Sequence, residues 1–371
     1  MKKILIFSLA YYPRVGGAEV AIKEITDRIS DIEFHMVTMR FSAADALQEK
    51  IGNVMVHRVG SRGSYLDKVL FVPRAALFAR KLHKKEKFNA SWAMMSYMLF
   101  PLVLSNLKIP YALTLQEGDT YGHMFGRLRV LPFLPLLNRG FRRAAVVQAI
   151  STYLGAWARV RGFAGSLEVV PNGVDVQKFS GEKVRHEGVV LITASRLVRK
   201  NAVDDVIRAL AQLPAEVRLV VAGSGPDESK LKKLTADLSV AHRVEWNGYV
   251  GHDRLPALLR SADIFIRPSR SEGMGNSFIE AFAAGLPVVA TQEGGIADFL
   301  FDAKRNPEKA ATGWAVDKDN PEQIAAAVAD ILGNPEEAKR VIETARKLAF
   351  EKYDWGLIAK DMREKVFGKV L

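Results

Sequence analysis

Short apolar runs of strand character alternate with helix-patterned segments along the whole of this 371-residue chain, and that alternation restricts the fold more than any other feature. The runs stand near residues 3–9, 34–38, 54–59, 110–115 and 145–150, and again near 188–194, 217–222, 243–246, 263–267 and 287–290. Strands of this kind are buried on both faces by the helices between them, so the pattern predicts parallel sheets of the α/β class. Pro171-Asn172-Gly173 opens a segment to Phe179 that interrupts the alternation near its middle. With 49% hydrophobic and 25% charged residues, the chain is too long for one typical domain and ample for two cores. Two doubly wound domains facing one cleft are therefore expected.

Composition removes several function classes. Without cysteine there is neither a disulfide framework nor a thiolate metal site, and a reducing, cytoplasmic setting fits best. No run reaches the roughly 18 apolar residues that a spanning helix needs, so the chain is expected to be soluble or peripheral. Met1–Ala10 has the charge and apolarity of a signal peptide's start, but its apolar run is short and no cleavage pattern follows, which fits a first buried strand better.

Chemistry concentrates between Asp263 and Ala290. Asp263–Pro268 reads as a buried strand ended by proline and Ser277–Ala284 as a helix stopped by Gly285 and Pro287, leaving 269–276 as the loop into a helix N-terminus. Free amides and the positive helix end favour an anion there, and Gly273 and Gly275 remove side chains that would hold a phosphate off the backbone. Glu272 precedes the helix and Glu280 follows eight residues on, roughly 12 Å away at about 1.5 Å per helical residue. Carboxylates beside a diphosphate are poor phosphate partners but strong acceptors for vicinal hydroxyls, so the pair suits the two ends of a long ligand bearing sugar rings. The plainer alternative gives Glu272 to the helix dipole and Glu280 to solvent. A second loop, after the apolar run Gly188–Ala194, carries Arg196, Arg199 and Lys200; it is either a solvated basic loop or a cluster whose repulsion an anion relieves.

Arg196-Leu-Val-Arg-Lys200, Val221-Ala-Gly-Ser-Gly-Pro226, Trp246-Asn-Gly-Tyr-Val250 and the Glu272-to-Glu280 segment resemble, in that order, the donor half of the family 4 glycosyltransferases. Ala10–Glu19 is similar to that family's first loop and Val170–Phe179 to its inter-domain linker, so the resemblance covers nearly the whole chain. It implies the GT-B fold: an acceptor-binding Rossmann-like domain over 1–174, a nucleotide-sugar domain over 175–354, and a helix over 355–371 packing back onto the first. By resemblance, Arg196 and Lys200 hold the donor diphosphate and Glu272 the hydroxyls of the transferred sugar, making these three catalytic. Glu280 takes the ribose hydroxyls, Gly273, Met274, Gly275, Asn276 and Ser277 surround sugar and phosphate, Gly16 and Gly17 admit the phosphates, and Tyr249 and Val250 lie at the base. The implied reaction is retaining, metal-independent transfer of a hexose from a nucleotide-diphosphate sugar, a co-substrate with no cofactor beside it, to a hydroxyl of a glycan or lipid-linked acceptor in cell-envelope polysaccharide or glycolipid synthesis. A front-face course lets the leaving diphosphate take the acceptor's proton while the two cations stabilise its charge.

One departure stands out. Where many relatives carry His-Asp, this chain has Gln116-Glu117; Gln116 can hydrogen-bond a hydroxyl but cannot act as a base. Glu117 and Asp119 are then the candidates for orienting the acceptor, and His123 reads as a solvated loop residue.

Charge points to the acceptor's setting, for residues 1–175 carry a net +11 and residues 176–371 only +1. Much of the surplus lies in Leu70–Lys85 and Met124–Arg143, where basic and apolar residues mix. That mixture predicts peripheral association with an anionic inner leaflet, and no nucleic-acid signature accompanies it. Asp317-Lys-Asp319 has the spelling of a metal-binding Asp-x-Asp but precedes a typical helix start, so capping is expected and no metal. Gly223-Ser-Gly225 is only part of a dinucleotide fingerprint. Two other classes stay open: a sugar-nucleotide isomerase resembling the 2-epimerases, and a non-catalytic sugar-nucleotide binder.

Overall fold

Ile4 through Phe7 are fully buried in β1 (Lys2–Phe7), as expected of a strand covered on both faces. The computed structural model describes residues 1–60, 64–128, 130–184 and 186–371; Arg129 of the second basic stretch lies outside them. The chain divides into two compact units, Met1–Gly173 with Trp355–Leu371, and Val174–Asp354.

The first unit continues through α1 (Gly17–Asp27), β2 (Ile32–Met39), β3 (Gln48–Ile51), β4 (Val54–Val59), α2 (Tyr65–Glu86), β5 (Ala90–Met94), α3 (Leu99–Ser105) and β6 (Tyr111–Leu115). It closes with α4 (Tyr121–Phe125), α5 (Leu134–Arg143), β7 (Val146–Ala149), α6 (Thr152–Val160) and β8 (Ser166–Val169). Its sheet runs β3-β4-β2-β1-β5-β6-β7-β8. The expectation of purely parallel sheets fails at β3, which pairs antiparallel with β4; a tight turn at Gly52-Asn53 allows it, and an edge position tolerates its polar residues. β5 was not legible as an apolar run, yet all five of its residues are buried. Its Trp92 donates to Thr114 (2.7 Å), Thr114 to Gln148 (2.6 Å) and Gln148 to the Val170 carbonyl (2.5 Å), so polar groups spread over three adjacent strands satisfy one another inside the core.

The second unit comprises α7 (Val176–Phe179), β9 (Val189–Ala194), α8 (Val203–Leu210), β10 (Val217–Ala222), α9 (Glu228–Asp237), β11 (Val244–Gly248), α10 (Leu255–Arg260) and β12 (Ile264–Arg267). After these come α11 (Asn276–Ala283), β13 (Val288–Ala290), β14 (Trp314–Ala315), α12 (Pro321–Gly333) and α13 (Pro335–Lys352). Among the described residues its six strands are parallel in the order β11-β10-β9-β12-β13-β14.

The end of the chain, α14 (Trp355–Asp361) and the turns that follow it, belongs to the first unit. Phe367 sets its ring against Trp92 and Phe34, with centroids 5.1 and 5.9 Å apart, and Arg363 grips Asp31 at 2.6 and 2.9 Å. Burying such a ring contributes about 2–3 kcal/mol. Strand order reverses between β1 and β5 in one sheet and between β9 and β12 in the other. Ligands of doubly wound sheets bind at the carboxyl ends of strands beside such a reversal.

Candidate active site

The loop after β9 carries Arg196 and Lys200, and its course is set by the glycines of the neighbouring turn. A Cβ on Gly223 would lie 1.8 Å from the Ser195 carbonyl oxygen, and one on Gly225 2.2 Å from that of Leu197. Bare glycine lets the two backbones meet: Leu197 N–H donates to Ser224 O at 3.0 Å and Asp227 N–H to Leu197 O at 3.2 Å. The Gly-Ser-Gly turn thus supports the basic loop. Arg196 and Arg199 are exposed at its rim, and Lys200 is half-buried.

Arg267, the last residue of β12, joins that loop to the next one. Its guanidinium donates to Asn201 at 3.0 Å, to Ser277 at 2.9 Å and to the Glu272 carboxylate, while Asn201 donates to the Arg196 carbonyl at 2.6 Å. Only 8% exposed, Arg267 holds Arg196's loop, Glu272 and the start of α11 in one network. Sequence reasoning passed over it inside an apolar strand; the available signal was an arginine where the core demands an apolar side chain. Arg270 clamps the same loops from outside, donating to the Arg199 carbonyl (2.7 Å), to Asp204 (2.8 and 2.9 Å), to Asp205 (2.8 Å) and to Asp319 (2.5 Å).

Glu272 is buried, held by Arg267 and by the Gly273 amide at 3.0 Å, with lone pairs remaining for a hydroxyl. α11 begins at Asn276 because Gly275 turns the chain with φ 84°; a Cβ there would meet the Phe278 ring at 2.6 Å. Gly273, Met274, Gly275, Asn276 and Ser277 lie together at this turn. Glu280 is 4% exposed, so the solvated alternative fails. Burial pushes its carboxyl up to about 7 against the opposing pull of Arg267 and Lys178, and the His252 ring is 3.6 Å away. Around these groups the side-chain hydroxyls of Thr193, Ser195, Ser269 and Ser271 and Nε of Arg267 are buried with no hydrogen-bond partner among the described residues. Buried polar atoms are nearly always paired, so such a concentration at the ends of β9 and β12 marks a place for a polar ligand. Tyr249, 71% exposed, and Val250 follow β11 at the border of this region.

In the first unit Gly16 and Gly17 start α1, where the Glu19 carboxylate accepts the Gly16 N–H at 2.8 Å. Gln116, after β6, comes close to Gly17 and has a buried Oε1 with no partner among the described residues. Glu117 turns inward, against the expectation that it touches an acceptor. At 1% exposure it accepts amides of Ser96 (2.7 Å) and Gln116 (2.9 Å), with burial raising its carboxyl, and so braces the loops after β5 and β6. Asp119 is half-buried, 3.7 Å from the half-exposed His123. The expected capping by Asp317 and Asp319 is also corrected: Asn320 caps α12, while Asp317 pairs with Arg305 at 2.9 Å and Asp319 with Arg270.

Residues 15–178 match the family model described as Glycosyltransferase Family 4, and residues 176–348 that described as Glycosyl transferases group 1. A Mycolicibacterium smegmatis relative, a GDP-mannose-dependent α-(1-6)-phosphatidylinositol monomannoside mannosyltransferase, is 30% identical over 68% of this chain and 70% of its own. The chain belongs to glycosyltransferase family 4. This glycosyltransferase is also 27% identical to the Mycobacterium tuberculosis enzyme of the same description, over 99% of both chains. Among solved structures it is similar to a sucrose-phosphate synthase from Thermosynechococcus elongatus, at TM-score 0.84 and 18% identity over 99% of each chain. It is similar too to Anabaena HepE in complex with UDP and glucose, at TM-score 0.79 and 19% identity over 99% of this chain and 100% of that one. The fold is GT-B.

Proposed function

We propose that this glycosyltransferase moves a hexose from a nucleoside-diphosphate sugar to a lipid-linked or glycan hydroxyl, with retention of configuration and without a metal in the transfer site. The observation that carries this is the set of unpartnered buried polar groups beside Arg196, Glu272 and Glu280 at the strand reversal of the second unit. In this reading Arg196 and Lys200 bind the diphosphate and stabilise its charge as the anomeric C–O bond breaks. Glu272, fixed by Arg267, orients the hexose through its hydroxyls, and Glu280 accepts from the ribose. The acceptor oxygen bonds on the face the diphosphate leaves, and its proton passes to a diphosphate oxygen. Tyr249 and Val250 complete the surroundings of the base, and in the first unit Asp119 is left to contact the acceptor.

A lipid-linked acceptor is supported by the relatives' names and by α2. Leu66, Val69, Pro73 and Leu77 recur there at spacings of three and four, which puts them on one helix face, and all four are exposed, with Lys68, Arg74 and Lys81 beside them. No helix of the described residues is long and apolar enough to cross a membrane; a peripheral position at an anionic, cytoplasmic leaflet is the localisation proposed.

Thermal shifts with GDP-, UDP- and ADP-sugars test the donor site. At one hundred times Kd the matching donor should stabilise the protein by about 2.7 kcal/mol. Arg196→Ala and Glu280→Ala should each abolish most of that shift, with donor turnover falling in parallel. Equal shifts in wild type and both variants would remove the assignment.

A further inference from the structure

A second group of ligand-type side chains lies in the first unit at the amino-terminal end of β2, away from the loops that follow the strands. Alternation along β2 puts Glu33 and His35 on one face, and α2, packed over that face, ends with Glu86 beside them. His35 Nε2 is 2.7 Å from Glu33 Oε1, and ligand atoms of Glu33, His35 and Glu86 lie within 4.8 Å of one another. The other ring nitrogen, Nδ1, is 3.1 Å from Nε2 of His57 on β4, and the two rings stack with centroids 5.4 Å apart. A metal-binding imidazole is commonly oriented in this way by a partner on its far nitrogen. The group opens into a cavity of about 430 Å³ bordered also by Asn53, Phe78 and Leu82, with room for water.

We propose that Glu33, His35 and Glu86 form a site for a divalent transition-metal ion of the zinc type, with water completing a tetrahedron. One imidazole and two carboxylates are donors zinc accepts, and the two carboxylates balance its charge. Lys3 now supplies positive charge there, its ammonium 3.1 Å from Glu33 and 2.9 Å from Glu86. Metal therefore binds in competition with Lys3 and takes the place of the His35 Nε2 proton. His35 then carries its proton on Nδ1 and donates it to His57 Nε2. The ion ties β2 to the end of α2 and takes no part in transfer.

Zinc titration of tag-free, full-length protein against a chromophoric chelator tests the site. One zinc per chain is expected, with a raised Tm. His35→Gln and Glu86→Gln should each weaken zinc at least tenfold, and Lys3→Met should tighten it severalfold, a gain that damage to the fold would not produce. Donor binding should be unchanged in every variant that folds. No saturable zinc binding in either wild type or Lys3→Met overturns the proposal, and so does binding that survives both ligand substitutions undiminished.

Discussion

Glu280 concentrates the conflict between burial and charge at a single residue. Its carboxyl, ordinarily near 4.5, is pushed to about 7 because burial strips water from the charged form. The folded protein therefore holds this proton more tightly than the unfolded chain. The associated stability is complete below about 4.5 and is lost as pH rises through about 7. The difference corresponds to an order of 3 kcal/mol. Glu280→Gln, which keeps the neutral shape, should match wild type at pH 4 and be more stable than it at pH 8, as followed by Tm against pH. Donor affinity should move the other way, rising in wild type from pH 6 to 8 as the better-accepting carboxylate forms, and staying low and flat in the variant. A wild-type-to-variant difference in Tm that is constant across this range would mean that Glu280 is not the titrating group.

At the scale of elements, the proposed donor site is two loops joined by Arg267, one of which rests on a third. Arg196's loop rests on the Gly223-Ser224-Gly225 turn, so a side chain in that turn should damage binding without touching any donor contact. Gly225→Ala would set a methyl 2.2 Å from the Leu197 carbonyl, a backbone atom with little freedom to retreat. The expected cost is about 1–3 kcal/mol in urea unfolding, with a loss of donor affinity of tenfold or more. Gly333→Ala, near the end of α12 with nothing within 4 Å of the added carbon, is the control and should leave donor affinity unchanged. This turn also shows how a motif can be legible while its physical role is not. The spelling Gly-Ser-Gly reads in the sequence as only part of a dinucleotide fingerprint, and in the fold its glycines let two backbone segments meet.

For the molecule as a whole, the charge excess and the exposed stripe of α2 occur in the same unit. Wild type should float with vesicles containing anionic lipid and not with neutral ones. Leu66→Glu with Leu77→Glu should release it at unchanged donor affinity; equal flotation on both vesicle types would end the membrane reading. The two α/β units and the parallel order of all the strands but β3 were legible because each rests on local pattern: apolar runs, and glycine and proline breaks. β5 and β8 were not, since a buried strand with a polar rail and an edge strand with one polar side both lack an unbroken apolar run. The site was legible as residue types and illegible as connections. Arg267 bonds a residue 66 positions away, Glu117 accepts an amide of the loop after β5, and Glu280 loses its water to the surrounding core. Which chemical groups this protein brings to its loops follows from the order of its residues. Only tertiary structure decided which of them are paired, buried or left with unmet hydrogen bonds, because desolvation and partner geometry arise from segments distant in the chain meeting in space.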